Sequence, residues 1–319
     1  MAIRFGVMTP QQGFTFQELV RIWVGIERLG FDSAWIVDHF YPYFPEPYNR
    51  PISRRAPVLE CWSTLAALSQ VTKRIRLGPL VTCNSYRSPS LLAKISSTVD
   101  VISSGRLNFG IGAGWYEEEH RSYGFPFESF GSRAERLVEA IQLIKLMWTK
   151  DEASFEGKYY RVDKVVSEPK PLQKPHPPVW IGAEGDRMLK IAAQVADVWN
   201  FPSDMHFYSA EEYGEKIRKF ETACQSYRRS TDEIVKSWVG IVLVDRNKAN
   251  VAEKVNTFRP SEVPLERYMN SVAGTPTECV EKLKLYSGLG VGHFILVFPD
   301  LPDLKTAQIF ANEVMPAFR

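Results

Sequence analysis

One histidine lies at the end of a predicted strand, a position from which side chains of barrel and sheet enzymes transfer protons. His39 follows Asp38 directly after the apolar segment Ser33 to Val37, which reads as a strand. An imidazole at a strand end can donate or accept a proton near neutral pH. A lone histidine can also cap a helix or lie satisfied in a core, so a catalytic role depends on whether this strand end opens into a pocket. The aromatic residues that follow, Phe40 to Phe44, either wall such a pocket or pack the loop down.

A second candidate is the glycine-rich segment GRLNFGIGAGW, in which Gly110, Gly112 and Gly114 alternate. Glycines let the backbone approach a planar ring or a phosphate without a Cβ clash. A dinucleotide fingerprint G-x-G-x-x-G would need its third glycine at Trp115, so we reject the Rossmann interpretation. The acidic run Glu117 to Glu119 precedes His120, but no second histidine lies four residues away. We therefore interpret the run as a solvated helix face and predict no metal site.

A third segment, WIGAEGDRMLK, places Gly182 and Gly185 directly before a predicted helix. Free backbone N–H groups at a helix start can bind an anion, and Arg187 or Lys190 would reinforce them. Glycine-rich turns also open many helices for steric reasons alone, so the anion site is one of two interpretations.

These residues need a scaffold, and the chain repeats a short apolar strand followed by an amphipathic helix. The predicted strands are residues 3–8, 33–37, 75–81, 107–111, 179–181, 197–200, 237–244 and 293–298. The predicted helices are residues 16–29, 59–71, 89–102, 133–148, 185–196, 210–227, 249–257, 276–287 and 304–315, with a polar hairpin turning at residues 156–157. The pattern predicts an α/β fold, a (β/α)8 TIM barrel formed by one domain over residues 1–319, with insertions in the βα loops. A doubly wound open sheet is the alternative. In a barrel the strand ends meet at one face, which would bring His39 and the glycines together.

Composition narrows the class of function. The 39 Lys and Arg nearly balance the 37 Asp and Glu, so the chain lacks the excess of positive charge that is typical of proteins binding nucleic acid or a membrane surface. The four cysteines are scattered without a C-x-x-C pair, which favours free thiols in a reducing compartment. No apolar run approaches the roughly 20 residues that span a bilayer, and the N-terminus has no signal-peptide core. We expect a cytoplasmic protein that acts on a small molecule.

Taken together, several segments resemble the luciferase-like monooxygenase superfamily, and within it the deazaflavin-dependent oxidoreductases that use coenzyme F420. The resemblance runs over nearly the whole chain. Its pieces are AWIVDHF, LGPLVTCNSYRSPSLLAK, STVDVISSGRLNFGIGAGWYEEEHRSYGFPF, FEGKYYRV, PKPLQKPHPPVWIG, AQVADVWN and GTPTECVEKL.

The resemblance implies roles for particular residues. His39 matches the active-site histidine beside the reactive face of the ring. The strand-three bulge that supports the back of the ring contains a non-proline cis peptide in relatives, which here would be Leu80-Val81. The other implied cofactor-binding residues are Asp38, Cys83, Asn84, Gly112, Ala113, Gly182, Ala183, Gly185 and Asn200. Tyr43 and Trp115 are expected in the substrate pocket.

Two departures from dehydrogenase relatives bear on the substrate. Those that oxidise alcohols or sugars carry tryptophan where this chain has Tyr43, and a glutamate in the glycine segment where this chain has Ala113. The resemblance therefore implies hydride transfer between reduced coenzyme F420 and a small organic substrate, with reduction favoured over alcohol or sugar-phosphate oxidation.

The alternatives are an FMN-dependent monooxygenase that uses oxygen and a catalytically silent flavin-binding barrel. A metal-dependent hydrolase is disfavoured because no H-x-H follows the first strand. Relatives form homodimers through the first half of the barrel, and we expect the same here through the predicted helices 59–71 and 89–102.

Overall fold

The computed structural model describes residues 2–42, 53–202 and 206–319. The strands in these ranges are β1 (Arg4–Met8), β2 (Ser33–Ile36), β3 (Arg76–Pro79), β4 (Thr82–Cys83), β5 (Phe109–Gly112), β6 (Ala153–Glu156), β7 (Arg161–Val165), β8 (Val179–Gly182), β9 (Val198–Pro202), β10 (Val235–Val244), β11 (Val272–Gly274) and β12 (Val291–Val297). The α-helices are α1 (Phe16–Arg28), α2 (Cys61–Val71), α3 (Pro89–Ile102), α4 (Glu117–Ser122), α5 (Phe130–Thr149), α6 (Asp186–Val195), α7 (Ala210–Ser226), α8 (Lys248–Phe258), α9 (Leu265–Tyr268), α10 (Pro276–Gly288) and α11 (Lys305–Ile309).

Eight parallel strands form a closed ring in the order β3-β2-β1-β12-β10-β9-β8-β5. The ring closes where Leu77 of β3 pairs in parallel with Leu107, just before β5. Leu77 N–H donates to Arg106 O at 3.1 Å, and Asn108 N–H donates to Leu77 O at 2.7 Å. The predicted (β/α)8 barrel is therefore confirmed, and the open sheet is excluded. The predicted hairpin is also present, as the antiparallel pair of β6 and β7.

The helices begin where short polar side chains can cap them. Thr15 forms a capping box with Glu18 at the start of α1, and Ser209 does the same with Glu212 at α7. Ser129 caps α5, which starts three residues before the predicted position because this cap lies upstream of the apolar pattern. On α1, the residues Leu19, Ile22, Trp23 and Ile26 are buried against the barrel, as the 3.6-residue period predicts.

His293 is a buried polar residue on a barrel strand. His293 of β12 hydrogen-bonds through Nε2 to Ser33 Oγ at 2.8 Å, and Trp35 Nε1 donates to the same oxygen. Burial, together with the charges of Arg4 and Arg76, lowers the pKa of His293 to about 3. His293 is therefore a neutral core residue whose contribution is to stability.

Two predicted elements are not continuous in the structure. The predicted strand 75–81 ends at Pro79, and β4 begins at Thr82; the Leu80-Val81 peptide between them is cis, as the resemblance implied. The predicted helix 304–315 is α-helical only over Lys305–Ile309 and continues as a π-turn over Phe310–Val314.

The proline-rich segment between β7 and β8 is fixed to the barrel. The buried carboxylate of Asp100 accepts hydrogen bonds from the backbone N–H groups of Leu172 and Gln173 and from the Gln173 side chain, at 2.7–3.1 Å. These hydrogen bonds hold the segment against the barrel. Among the described helices, none is both long and apolar enough to cross a membrane.

Candidate active site at the carboxyl ends of the strands

A cavity of about 710 Å³ lies at the carboxyl ends of the barrel strands. Its volume falls within the roughly 300–1,000 Å³ range of small-molecule and cofactor sites. The lining residues are Met8, Asp38, His39, Leu80, Val81, Thr82, Cys83, Tyr86, Gly112, Ala113, Gly114, Trp115, Phe130, Gly182, Ala183, Glu184, Gly185, Asp186, Arg187, Met188, Asn200, Pro202, His206 and Val239.

The sequence-predicted site residues converge here, with two exceptions. The twelve that line the cavity are Asp38, His39, Leu80, Val81, Cys83, Gly112, Ala113, Trp115, Gly182, Ala183, Gly185 and Asn200. Asn84 is not among the lining residues: it is buried, and its side-chain amide donates to the Tyr160 hydroxyl at 3.3 Å. Tyr43 lies outside the described residues.

His39 is held by a buried carboxylate. Its Nδ1 lies 2.8 Å from Glu119 Oε2, and Glu119 has no solvent exposure. The same carboxylate accepts the Tyr86 hydroxyl at 2.6 Å and the backbone N–H groups of Phe40 and Tyr41 at 2.6 and 2.9 Å. Burial alone raises the pKa of Glu119, but these hydrogen bonds and the neighbouring imidazole bring its pKa below the ordinary carboxyl value. Glu119 is therefore a carboxylate at neutral pH.

The interpretation of residues 117–119 as a solvated face is wrong for Glu119, and His120 is fully buried as well. Only Glu117 and Glu118 of the run reach solvent. A signal for this was present in the spacing. Glu119 lies three residues after Tyr116 and four before Tyr123, which places it on the aromatic side of the short helix. Its partner His39 is 80 residues away in sequence, so only the tertiary structure identifies the pair.

Asp38 holds the wall of the cavity together. Its carboxylate accepts the Thr82 hydroxyl at 2.5 Å, the Cys83 N–H at 3.0 Å and both terminal nitrogens of Arg87 at 2.7 and 3.0 Å. Arg87 also contacts Glu60 at 2.5 Å. Burial lowers the pKa of Arg87, and the adjoining carboxylates more than reverse this, so its pKa lies above the ordinary value. Asp38 lines the cavity, but its oxygens are engaged in supporting β4.

Gly112 at the end of β5 and Gly114 just after it keep the backbone close to the segment between β3 and β4. A Cβ at Gly112 would meet Val81 Cγ2 at 2.8 Å, and one at Gly114 would meet Cys83 Sγ at 2.6 Å. Gly114 also has a φ of +80°, which L-residues with a side chain rarely adopt. The alternating glycines seen in the sequence therefore serve close packing of this wall, and they leave the cavity open beside it.

Cys83 is unsuited to nucleophilic chemistry. Burial is the largest effect on this thiol and raises its pKa to about 12. Its Sγ lies 3.9 Å from His120 Nε2, while His120 Nδ1 lies 2.9 Å from the Tyr116 carbonyl oxygen. We infer that Cys83 contributes shape to the cavity wall.

The start of α6 also lines the cavity. Gly185 is the N-cap residue and offers no side chain to the first N–H groups of the helix. Arg187 lines the cavity and contacts Gly131 O and Glu135 Oε1, each at 3.2 Å. Lys190, the other predicted cation, is exposed and is absent from the lining. Asn200 of β9 is oriented by the Ser237 hydroxyl, which donates to its Oδ1 at 3.0 Å.

Comparison with known proteins finds relatives that match nearly the whole chain. Two F420-dependent glucose-6-phosphate dehydrogenases are similar over nearly their whole length. The relative from Amycolatopsis mediterranei is 26% identical, covering 99% of each chain. The relative from Nakamurella multipartita is 27% identical, covering 99% of this chain and 97% of the relative.

Solved structures share the fold at lower identity. An F420-dependent secondary alcohol dehydrogenase, in complex with an F420-acetone adduct, has a TM-score of 0.84 at 20% identity, covering 100% of both chains. A coenzyme F420-dependent tetrahydromethanopterin reductase from Methanopyrus kandleri has a TM-score of 0.79 at 20% identity, also over 100% of both chains. A long-chain alkane monooxygenase has a TM-score of 0.81 at 15% identity, covering 99% of this chain and 91% of its own. The family model for luciferase-like monooxygenases matches residues 1–272, and the chain therefore belongs to the luciferase-like monooxygenase family.

Proposed function

We propose that this protein is a coenzyme F420-dependent oxidoreductase that transfers a hydride between the cofactor and a small organic substrate. The observation that carries the proposal is the cavity at the strand ends, where His39, the β3–β4 bulge and the α6 N-terminus line one space. The similarity of the whole chain to F420-dependent dehydrogenases supports the choice of cofactor.

The residues present fit a deazaflavin. Val81 approaches Gly112 so closely that a Cβ at Gly112 would meet Val81 Cγ2 at 2.8 Å, and Leu80, Val81 and Gly112 all line the cavity. The N-terminus of α6 lacks a capping side chain, so its N–H groups can bind a phosphate. Leu80, Val81 and Gly112 would therefore hold the ring, and Gly185 with its helix would hold the phosphate.

When bound, the deazaflavin supplies or accepts the hydride, and the protein supplies positioning and a proton. His39 lines the cavity within reach of a substrate, and general acid–base groups of this kind typically contribute about 10²–10⁴-fold to the rate. The Trp115 ring lies edge-on to the His39 ring, with centroids 5.6 Å apart, and forms the adjoining wall. In substrate reduction, His39 would donate the proton to the oxygen of a carbonyl compound. In the reverse direction it would accept that proton.

The charges around the cavity favour an uncharged substrate. Among the described lining residues, the basic side chains other than His39 are Arg187 and His206. Arg187 contacts Glu135, and His206 lies 3.5 Å from Glu184. A substrate phosphate beside His39 would instead lie close to the buried carboxylates of Asp38 and Glu119. We therefore expect a ketone, aldehyde or alcohol without a phosphate group, in contrast to the glucose 6-phosphate named for the relatives.

The choice of cofactor is tested by titrating the purified protein with coenzyme F420 and with FMN, following fluorescence quenching and calorimetric heat. We expect tighter binding of coenzyme F420. Tighter binding of FMN, accompanied by oxygen consumption with the reduced cofactor, would replace the proposal by the monooxygenase alternative. Tight F420 binding without turnover of any carbonyl compound or alcohol would favour the catalytically silent barrel.

A charge at the α6 N-cap tests where the phosphate binds. Gly185 has φ −80° and ψ 156°, and nothing lies within 4 Å of a Cβ there, so Asp fits without strain and caps the helix well. Gly185→Asp should therefore fold normally, yet weaken cofactor binding by roughly tenfold or more, because the new carboxylate occupies the N–H groups and repels the phosphate. Gly185→Ala is the matched control and should retain affinity. Equal affinity in both variants would place the phosphate elsewhere.

Substrate charge is tested with the F420-loaded enzyme. We expect saturable oxidation of the reduced cofactor by small ketones or aldehydes, or the reverse reaction with their alcohols. Saturable reduction of the oxidised cofactor by glucose 6-phosphate, at a higher kcat/KM than any uncharged alcohol gives, would contradict the charge argument while leaving the cofactor proposal intact.

A further inference from the structure

The two oxygens of Glu119 bind different groups. Oε1 accepts the backbone N–H groups of Phe40 and Tyr41, which directly follow His39. Oε2 accepts the Tyr86 hydroxyl and contacts His39 Nδ1. One oxygen therefore fixes the loop after β2, and the other contacts the imidazole itself.

The chemistry of the acceptor decides which ring nitrogen carries the proton. A carboxylate only accepts hydrogen bonds, so a nitrogen 2.8 Å from Glu119 Oε2 must be a donor. In neutral His39 that nitrogen is Nδ1, and Nε2 is then the basic nitrogen. Without such a partner, an imidazole in water prefers the opposite tautomer, protonated on Nε2.

We propose that Glu119 is a positioning residue that holds His39 in the Nδ1-protonated tautomer, so that Nε2 is the atom that exchanges the proton with the substrate. The role given to Nε2 rests on the proposed function, whereas the tautomer does not. In substrate reduction, Nε2–H of the imidazolium passes its proton to the oxygen as the hydride adds to carbon. His39 is left neutral, with Nδ1–H still donated to Glu119. The reverse reaction returns the proton to Nε2.

Glu119→Gln separates this role from that of fixing the loop. The Gln carbonyl oxygen can replace Oε1, because Phe40 and Tyr41 N–H are obligatory donors. Its NH2 group then points at His39 Nδ1 and must donate to it, which forces neutral His39 into the Nε2-protonated tautomer. The loop remains fixed, and the ring can no longer accept a proton on Nε2 in its neutral form.

The direct readout is the ¹⁵N spectrum of histidine-labelled protein, recorded without cofactor at a pH where imidazole is neutral. The five histidines are few enough to resolve, and His39→Asn identifies the His39 signals by their loss. We expect a protonated Nδ1 and an unprotonated Nε2 in the wild type and in Glu119→Asp, and the reverse in Glu119→Gln. Glu117→Gln is the control: Glu117 is exposed on the same helix and pairs with Arg121, so the His39 signals should be unchanged.

The kinetic readout uses the cofactor. Glu119→Gln should lower kcat by up to about 10²–10⁴-fold, the contribution of a general acid–base group, with little change in cofactor affinity. Glu119→Asp should recover part of the rate. A residue that only fixed the loop would instead weaken cofactor binding and lower stability together, without a tautomer change.

Wild-type His39 protonated on Nε2, or an unchanged tautomer in Glu119→Gln, would overturn the proposal. The wild-type spectrum decides even if Glu119→Gln does not fold. The expected tautomers together with absence of F420 turnover would refute the proposed function and leave the positioning role of Glu119 standing.

Discussion

Replacing Asp38 by Asn tests whether this residue supports the cavity wall or contacts the cofactor. The substitution preserves the shape of the side chain but removes the charge that pairs with Arg87. Both partners are buried: the Asp38 side chain is 1% exposed and the Arg87 side chain is 10% exposed. The amide nitrogen should take the place of Oδ1, because Oδ2 serves three donors and Oδ1 serves Arg87 Nη2 alone. Arg87 then loses one hydrogen bond and its most deeply buried counter-ion.

The cost follows from the burial of the pair. Removing one partner of a buried ion pair typically costs about 3–5 kcal/mol. Arg87 retains Glu60, and the substituted side chain would retain the three contacts of Oδ2, so we expect the lower end, about 3 kcal/mol. At 1.4 kcal/mol per factor of ten, this corresponds to roughly a hundredfold change in the unfolding equilibrium.

The assay is urea unfolding monitored by the fluorescence of the eight tryptophans. The free energies of unfolding of the variant and the wild type are compared on condition that their m-values are equal. Glu60→Gln is the matched control, because it removes the other, 39% exposed counter-ion of the same guanidinium and should cost no more than about 1 kcal/mol. If Asp38→Asn unfolds within about 1 kcal/mol of the wild type while its cofactor affinity falls strongly, the carboxylate contacts the cofactor and the structural interpretation is refuted.

Three further outcomes are expected. His39→Ala should keep the cofactor affinity and lose about 10²–10⁴-fold in turnover; unchanged turnover in a destabilised variant would remove His39 from the mechanism. Because the pKa of His293 is lowered to about 3 in the folded chain, the unfolded state binds an extra proton below pH 6.5, so stability is complete above that pH and falls with acidification. Between pH 8 and 5 the loss from this group should be about 2 kcal/mol, most of it below pH 6.5, and His293→Gln should lose this pH dependence in urea titrations; an equal dependence in both proteins would contradict the assignment. The protein should be a homodimer through α2 and α3, where Val71, Leu91 and Ile102 are exposed, and light scattering that gives a monomer mass would refute this.

Local patterns were sufficient to predict the scaffold. Apolar runs of strand length alternate with segments of 3.6-residue apolar periodicity, and capping residues such as Thr15 mark where helices begin. These signals can be found in the sequence because they depend only on neighbours within a few positions. A chain of eight strand–helix units can adopt only a few topologies, and the barrel is one of them. Its geometry then brings the strand-end residues together, which is why His39, Val81, Gly112 and Gly185 were found in one cavity.

Only the tertiary structure shows which side chains form hydrogen bonds with the residues that line the cavity. Glu119 looks from its acidic neighbours like a solvated residue, and it becomes a buried partner of His39 only because the loops after β2 and β5 meet above the barrel. Asp38 is expected to bind the cofactor from its position at a strand end, and only the structure shows that Arg87, 49 residues later, donates to its carboxylate. Both pairings depend on contacts between segments far apart in sequence. The sequence therefore determined which residues reach the carboxyl ends of the strands, and the packed structure determined which of them are held by other side chains.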